Sequence, residues 1–277
     1  MVLMAILLGT ITAGIGSVWL AALLSFGALT RYTQHMLSLA AGALLGTAFM
    51  HLLPEAFESQ ASAHDMFATL LVGLVFFFLL DKAELWHHGH EHHAAERDGP
   101  DSGHDPAHHD HDHAHKHNPA NSHGHASGGW AVLAGDSVHA FGDGILIASA
   151  FMADMRLGFV AALAVLVHEV PHHMGDLIVL RRQSANNRRI AIVKVSLAGA
   201  VTALGGVVGY ALVDQLYAYL PFFLVIAASS FMYVALADLI PQLQKRATMQ
   251  ETAAQIAWLA IGIGLVILVS SLAAHDH

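Results

Sequence analysis

DSVHAFGDG (residues 136–144) and HEVPHHMGD (residues 168–176) sit inside two apolar stretches, 130–152 and 157–180, each long enough to cross a bilayer. An ionisable side chain near the bilayer centre costs about 2.5–3.5 kcal/mol on insertion scales, so it persists there with a partner or a role. Asp136, His139, Asp143, His168, Glu169, His172, His173 and Asp176 all fall in these two stretches. So dense a set of metal-ligating groups implies a polar, cation-sized hole through the membrane.

Composition fixes the class around that hole. With 55% hydrophobic and 12% charged residues and a mean hydropathy of +0.54, the chain is an integral membrane protein and not a soluble domain. Apolar windows of about 20 residues, the length needed to span the hydrocarbon, fall at 2–28, 36–57, 64–86, 130–152, 157–180, 190–213, 217–240 and 253–274. The fold class is therefore all-α, a polytopic membrane protein with eight transmembrane helices. The first window lacks a basic lead and a small-residue cleavage site, and reads as a retained helix.

Lysine and arginine set the orientation, because cytoplasmic loops are enriched in them. Connections after spans 1, 3, 5 and 7 hold Arg31; Lys82, Arg97 and Lys116; Arg181, Arg182, Arg188, Arg189 and Lys194; and Lys245 and Arg246. The other side holds Arg156 alone. The split of 11 to 1 predicts both termini outside and the long 3–4 connection in the cytoplasm.

The net charge of −9 lies largely in that connection and within the spans, and nothing in the chain suggests nucleic acid. The absence of cysteine removes thiolate ligands and leaves imidazole, carboxylate and carbonyl. In residues 87–129, 14 of 43 residues are His, with almost no large apolar side chain to offset chain entropy. This stretch is expected to be a disordered cytosolic loop that binds divalent metals loosely, as buffer or sensor. The organisation is then helices 1–3 in 1–86, the loop in 87–129, helices 4–5 with the metal site in 130–181, and helices 6–8 in 190–277.

Selective binding belongs in spans 4 and 5, where ligand spacing follows the helix. His139 and Asp143 are four residues apart, as are His168 and His172, so each pair projects from one face. Asp136 and Asp176 extend those faces by a turn. Glu169, three residues before His172 and four before His173, widens the second face into a further site or relay. Pro171 leaves the carbonyl of Val167 without its helical donor and bends the helix. Interhelical hydrogen bonding could explain one such His, but not two His and carboxylates facing a His and a carboxylate. The mixed N/O set suits Zn²⁺, Fe²⁺, Mn²⁺, Co²⁺ or Cd²⁺. A rival from another class is present in HEVPH (168–172), which matches the H-E-x-x-H pattern of zinc proteases. Pro171 inside that pattern and the second cluster in span 4 speak against it.

These residues resemble the Zrt/Irt-like (ZIP) divalent metal transporters over nearly the whole chain. HAFGDG is similar to that family's HNxxDG pattern, and HEVPHHMGD to the HExPHExGD pattern of one subfamily. The resemblance implies a principal transport site of His139, Asp143, His168 and His172, with Glu169 in an adjacent one. It also implies zinc as the carried ion, often with iron, manganese or cadmium, moved toward the cytoplasm. Ala140 stands in place of the pattern's Asn and His173 in place of its second Glu, so the adjacent site should be poorer in oxygen. His173, Asp176 and Asp136 then stand as secondary or pathway ligands. A second membrane reading, an efflux carrier of the cation diffusion facilitator kind, normally has six spans and a soluble C-terminal domain.

HLLPE (51–55) in span 2 and DLIPQ (238–242) in span 7 share a ligand, two aliphatic residues and a Pro while crossing in opposite directions. An inverted repeat of spans 1–3 on 6–8, with 4 and 5 between, would leave that echo. His51 and Asp238 then stand as entrance and exit ligands, with Glu55 and Glu58 gathering cations outside. Gly42 with Gly46 and Gly205 with Gly209 give faces for close helix approach within the bundle, compatible also with a homodimer. The host is expected to be the cell (inner or plasma) membrane, and the partners are lipid and divalent metal ions.

Overall fold

The computed structural model describes residues 1–25, 33–89, 127–183, 187–244 and 248–273. Among these, eight long helices are formed: α1 (Val2–Leu24), α2 (Thr33–Phe57), α3 (Ala63–Gly89), α4 (Ser127–Ala153), α5 (Met155–Gln183), α6 (Arg188–Gln215), α7 (Tyr217–Leu243) and α8 (Met249–Ala273). Among the described residues, α1–α3 and α5–α8 are long and apolar enough to cross a membrane by length and composition, and α4 carries Asp136, His139 and Asp143. Residues 90–126, and with them the expected disorder of the His-rich loop, lie outside the described residues, as do Arg31, Arg97, Lys116, Lys245 and Arg246.

Helix starts follow local chemistry. Asp154, the one residue between α4 and α5, accepts from the backbone N–H groups of Arg156 (2.8 Å) and Leu157 (3.2 Å). Asn187 caps α6 by accepting from Arg189 and Ile190. At α8 the Glu251 carboxylate accepts from the Thr248 N–H at 2.7 Å, while the Glu251 N–H donates to the Thr248 hydroxyl, a reciprocal capping box.

The packing partners pair off in a way that matches a two-fold relation of α1–α3 to α6–α8. Helix α6 packs on α4 as α1 packs on α5; α8 packs on α2 as α3 packs on α7; α2 touches α5 as α7 touches α4. Small residues permit the closest approaches, since lipid offers no hydrophobic drive between helices. A Cβ at Gly205 would collide with the Phe141 carbonyl of α4, one at Gly209 with Ile145, and one at Gly42 with the Leu259 carbonyl of α8. Both glycine pairs singled out by sequence thus seat helices inside the bundle, and these faces are not free for a second copy.

The echo between HLLPE and DLIPQ extends to hydrogen bonding. Ala48–Leu52 and Val234–Leu239 are π-helical, and in each the N–H two residues after the ligand reaches five residues back, Leu53 to Ala48 and Ile240 to Ala235. Pro54 and Pro241 follow at the same offset and have no N–H to give, so the widened turn reroutes the ladder around the missing donor. A third π-helical segment, Thr12–Gly16 in α1, has no counterpart in α6, which is α-helical throughout. Here the two-fold relation breaks, beside the residues described next.

Candidate metal centre

Helices α4 and α5 bring eight ligand side chains together in three overlapping groups. In the first, ligand atoms of His139, Asp143, His168 and Glu169 all lie within 4.8 Å of one another. His168 Nε2 stands 3.2 Å from Glu169 Oε1, 3.5 Å from Asp143 Oδ2 and 3.5 Å from His139 Nε2. His139 Nε2 stands 3.5 Å from Glu169 Oε1 and 3.8 Å from Asp143 Oδ2. Ligands at tetrahedral corners about 2.0–2.2 Å from a zinc ion are about 3.3–3.6 Å apart, so the observed separations scatter around a zinc-sized tetrahedron's edges.

The second group is Asp136, His172 and Asp176, with His172 Nε2 at 3.5 Å from Asp136 Oδ1 and 3.6 Å from Asp176 Oδ2. The third is Asp136, Glu169 and His173, with His173 Nε2 at 3.1 Å from Glu169 Oε2 and 3.8 Å from Asp136 Oδ1. The division differs from that read in the sequence. Glu169 stands in the principal group where His172 was placed, and His172 falls in a neighbouring one. Four residues along a helix advance about 6 Å along its axis, so His168 and His172 share a face without having to share an ion. Asp136 supplies the oxygen that His173 does not.

Exposure is graded. Asp143, His168, Glu169 and His173 are buried, whereas the His139 and His172 side chains are 31% and 42% exposed. Asp143 Oδ2, Glu169 Oε1 and both Asp136 oxygens are buried without a hydrogen-bond partner. Such atoms carry a desolvation cost of about 1–3 kcal/mol or more each unless something binds them. A cation in the first group would satisfy Asp143 Oδ2 and Glu169 Oε1, whereas the Asp136 oxygens face the second and third groups.

A backbone carbonyl orients one of the imidazoles. His168 Nδ1 lies 3.2 Å from the Ala164 carbonyl one turn back, and a carbonyl only accepts, so Nδ1 carries the proton and the Nε2 lone pair faces the first group. His51 and Asp238 belong to none of the three groups. His51 is half-buried in its π-helical turn with Nε2 unpartnered, and Asp238 accepts from Gln242 at 2.8 Å. Ser17 of α1, which sequence reasoning passed over, lies 3.0 Å from His173 Nδ1. A hydroxyl in an apolar span carries no spacing signal that could have found it.

The profile described as ZIP zinc transporter matches residues 1–270. The chain belongs to the ZIP zinc transporter family. This ZIP chain is 26% identical over 272 residues to the zinc transporter ZIP13 of Danio rerio, covering 86% of the chain and 76% of that relative. It is 26% identical over 294 residues to the zinc transporter ZIP13 of Pongo abelii, at 95% and 77% coverage. It is also 32% identical over 161 residues to the zinc transporter ZIP10 of Danio rerio, covering 56% of the chain. That last match spans only 19% of the ZIP10 relative, so the chain corresponds to about a fifth of its length. Together with the apolar helices, family membership makes this ZIP chain a multi-pass membrane protein.

Proposed function

We propose that the chain moves divalent transition-metal cations, zinc first, across the membrane toward the cytoplasm, with His139, Asp143, His168 and Glu169 as the central binding group. The observation that supports this most strongly is the near-tetrahedral spacing of four nitrogen and oxygen ligands inside apolar helices. A cation entering from outside sheds water against Asp143 and Glu169, whose buried charges replace its hydration, and is held by the two imidazoles. Asp136, His172 and Asp176 then take it over a few ångströms along the same helices, on the more exposed side. In this reading the basic odd-numbered connections and the His-rich loop are cytoplasmic, both termini lie outside, and the loop receives the departing ion. The same ligands accept iron, manganese or cadmium. The host is the cell membrane.

The protease reading loses support from the division of ligands. His168 and His172, which would have to share one zinc, stand in different groups, and Glu169 points an oxygen into the first group where a catalytic base would face a water. The efflux reading, which normally has six spans, fits neither the eight long helices nor the family match, and it reverses the direction of movement. Uptake of ⁶⁵Zn²⁺ into proteoliposomes of known orientation tests the proposal. Movement from the face bearing the termini, lost on Asp143→Ala with normal insertion, is the expected result; movement of zinc only in the opposite direction would overturn it.

A further inference from the structure

Between α3 and α7 a furrow opens on the outside of the bundle. It holds about 450 Å³ and is lined by Ala68, Thr69, Val72, Gly73 and Phe76 of α3 and Ile226 of α7. Residue size carves it. Gly73 lets α7 come so near that a Cβ there would overlap the Ser229 hydroxyl, while Ala68 adds little bulk nearer the start of α3. Val72 and Phe76 are 67% and 55% exposed, so the furrow is open to the hydrocarbon around the protein.

Its volume falls among those of small-molecule sites, and its chemistry is apolar. The hydroxyls beside it are spent on their own helices: Thr69 donates to the Asp65 carbonyl at 2.8 Å and Ser229 to the Ile226 carbonyl at 2.7 Å. Walls left without a neighbour forfeit their dispersion contacts, and in a bilayer the neighbour at hand is an acyl chain. The length agrees. Ala68 to Phe76 is about 12 Å along the helix, within the roughly 15 Å of hydrocarbon in one leaflet.

Charge at the end of the furrow selects the headgroup. Asp65 lies three and four residues before Ala68 and Thr69, on the stripe that continues through Val72 and Phe76. Its side chain is 63% exposed, with His64 Nδ1 at 3.6 Å. Glu55 and Glu58 end α2 just before the turn into α3, and residues 33–81 contain neither Lys nor Arg. An anionic headgroup is repelled there. A primary ammonium is attracted and can donate hydrogen bonds to the Asp65 carboxylate, which a quaternary ammonium cannot.

We propose that the α3–α7 furrow is a phospholipid site: one acyl chain lies along Ala68, Val72, Gly73 and Phe76, and a phosphatidylethanolamine headgroup pairs with Asp65. The site lies on other helices than the ligand groups and stands or falls separately from the transport reading.

Lipid retention by the full chain tests it. Protein reconstituted in equal parts phosphatidylethanolamine, phosphatidylcholine and phosphatidylglycerol is extracted into mild detergent and washed free of bulk lipid. Intact-complex mass spectrometry then counts lipids and protein copies. The unaltered chain should keep phosphatidylethanolamine about two- to fivefold over phosphatidylcholine, the yield of one partly exposed ion pair, with phosphatidylglycerol lowest. Ala68 is exposed, so Ala68→Phe fills the furrow without disturbing the core and should retain one lipid fewer per chain. Leu71→Phe puts a ring on the same helix outside the furrow and should retain the full count. Asp65→Asn should keep the count while the preference for phosphatidylethanolamine falls to about one. Equal counts for the unaltered chain and Ala68→Phe overturn the proposal, as does enrichment of phosphatidylglycerol or a headgroup preference that survives Asp65→Asn. A lipid-free dimer that parts on Ala68→Phe would also overturn it, giving the furrow to a second copy of the chain.

Discussion

His168 and His172 stand one turn apart on α5 and serve different ligand groups, the first facing Asp143 and Glu169, the second Asp136 and Asp176. His168 is buried and its Nδ1 is tethered to the Ala164 carbonyl, whereas His172 is 42% exposed. The two should therefore not be equivalent in transport. Loss of even an outer partner of a metal ligand costs about 10–100-fold in affinity. His168→Ala should lower kcat/KM for zinc uptake by about 100-fold or more, and His172→Ala by about tenfold, chiefly through release. Equal losses would contradict the division into two groups.

Proton competition gives a second expectation. Each ligand must be deprotonated to bind, and free imidazole titrates between about pH 5 and 8. As pH falls, protons compete with the metal for the imidazole ligands, so apparent zinc affinity should decrease from pH 7.5 to 5.5. Uptake measured with the same internal buffer throughout checks this, and constant affinity across the range speaks against imidazole ligation.

The His-rich stretch suggests a separable effect. Removing residues 90–125 takes away loose imidazole ligands but none of the three groups in α4 and α5. Initial uptake rate at saturating zinc should change less than twofold, while the response to cytosolic zinc load is lost. A large fall in initial rate with normal insertion would place the loop on the transport path.

Much of this architecture is legible in the chain because two periodicities coincide. Apolar windows locate the helices to within a few residues, as with 157–180 against Met155–Gln183, since a bilayer demands a fixed length. That these side chains gather in one place was legible too, because ionisable residues at helical spacing have few other reasons to be in a span. Ligand partition was not: whether Glu169 or His172 joins His168 depends on side-chain reach and on the tilt of α4 against α5. The π-helical turns were hinted at only by Pro54 and Pro241, and the turn in α1 carries no proline at all. Ser17 was invisible as well, since its contact with His173 Nδ1 comes from what α1 is pressed against.

Close packing of α4 on α6 gives the last prediction. Gly205 meets the Phe141 backbone carbonyl, and Gly144 meets the Thr202 carbonyl across the same contact. Backbone cannot yield as a flexible side chain does, so Gly205→Ala must push α4 away by a substantial fraction of an ångström. Overpacking of this kind costs about 1–3 kcal/mol. Since α4 carries Asp136, His139 and Asp143, the shift should also loosen the first ligand group. Gly264 on α8 has open space around its Cβ position and serves as the control. Thermal unfolding in detergent should show a lowered midpoint for Gly205→Ala and none for Gly264→Ala, with zinc affinity falling only in the former. A Gly205→Ala protein with unchanged stability would mean that α4 and α6 do not approach through this contact.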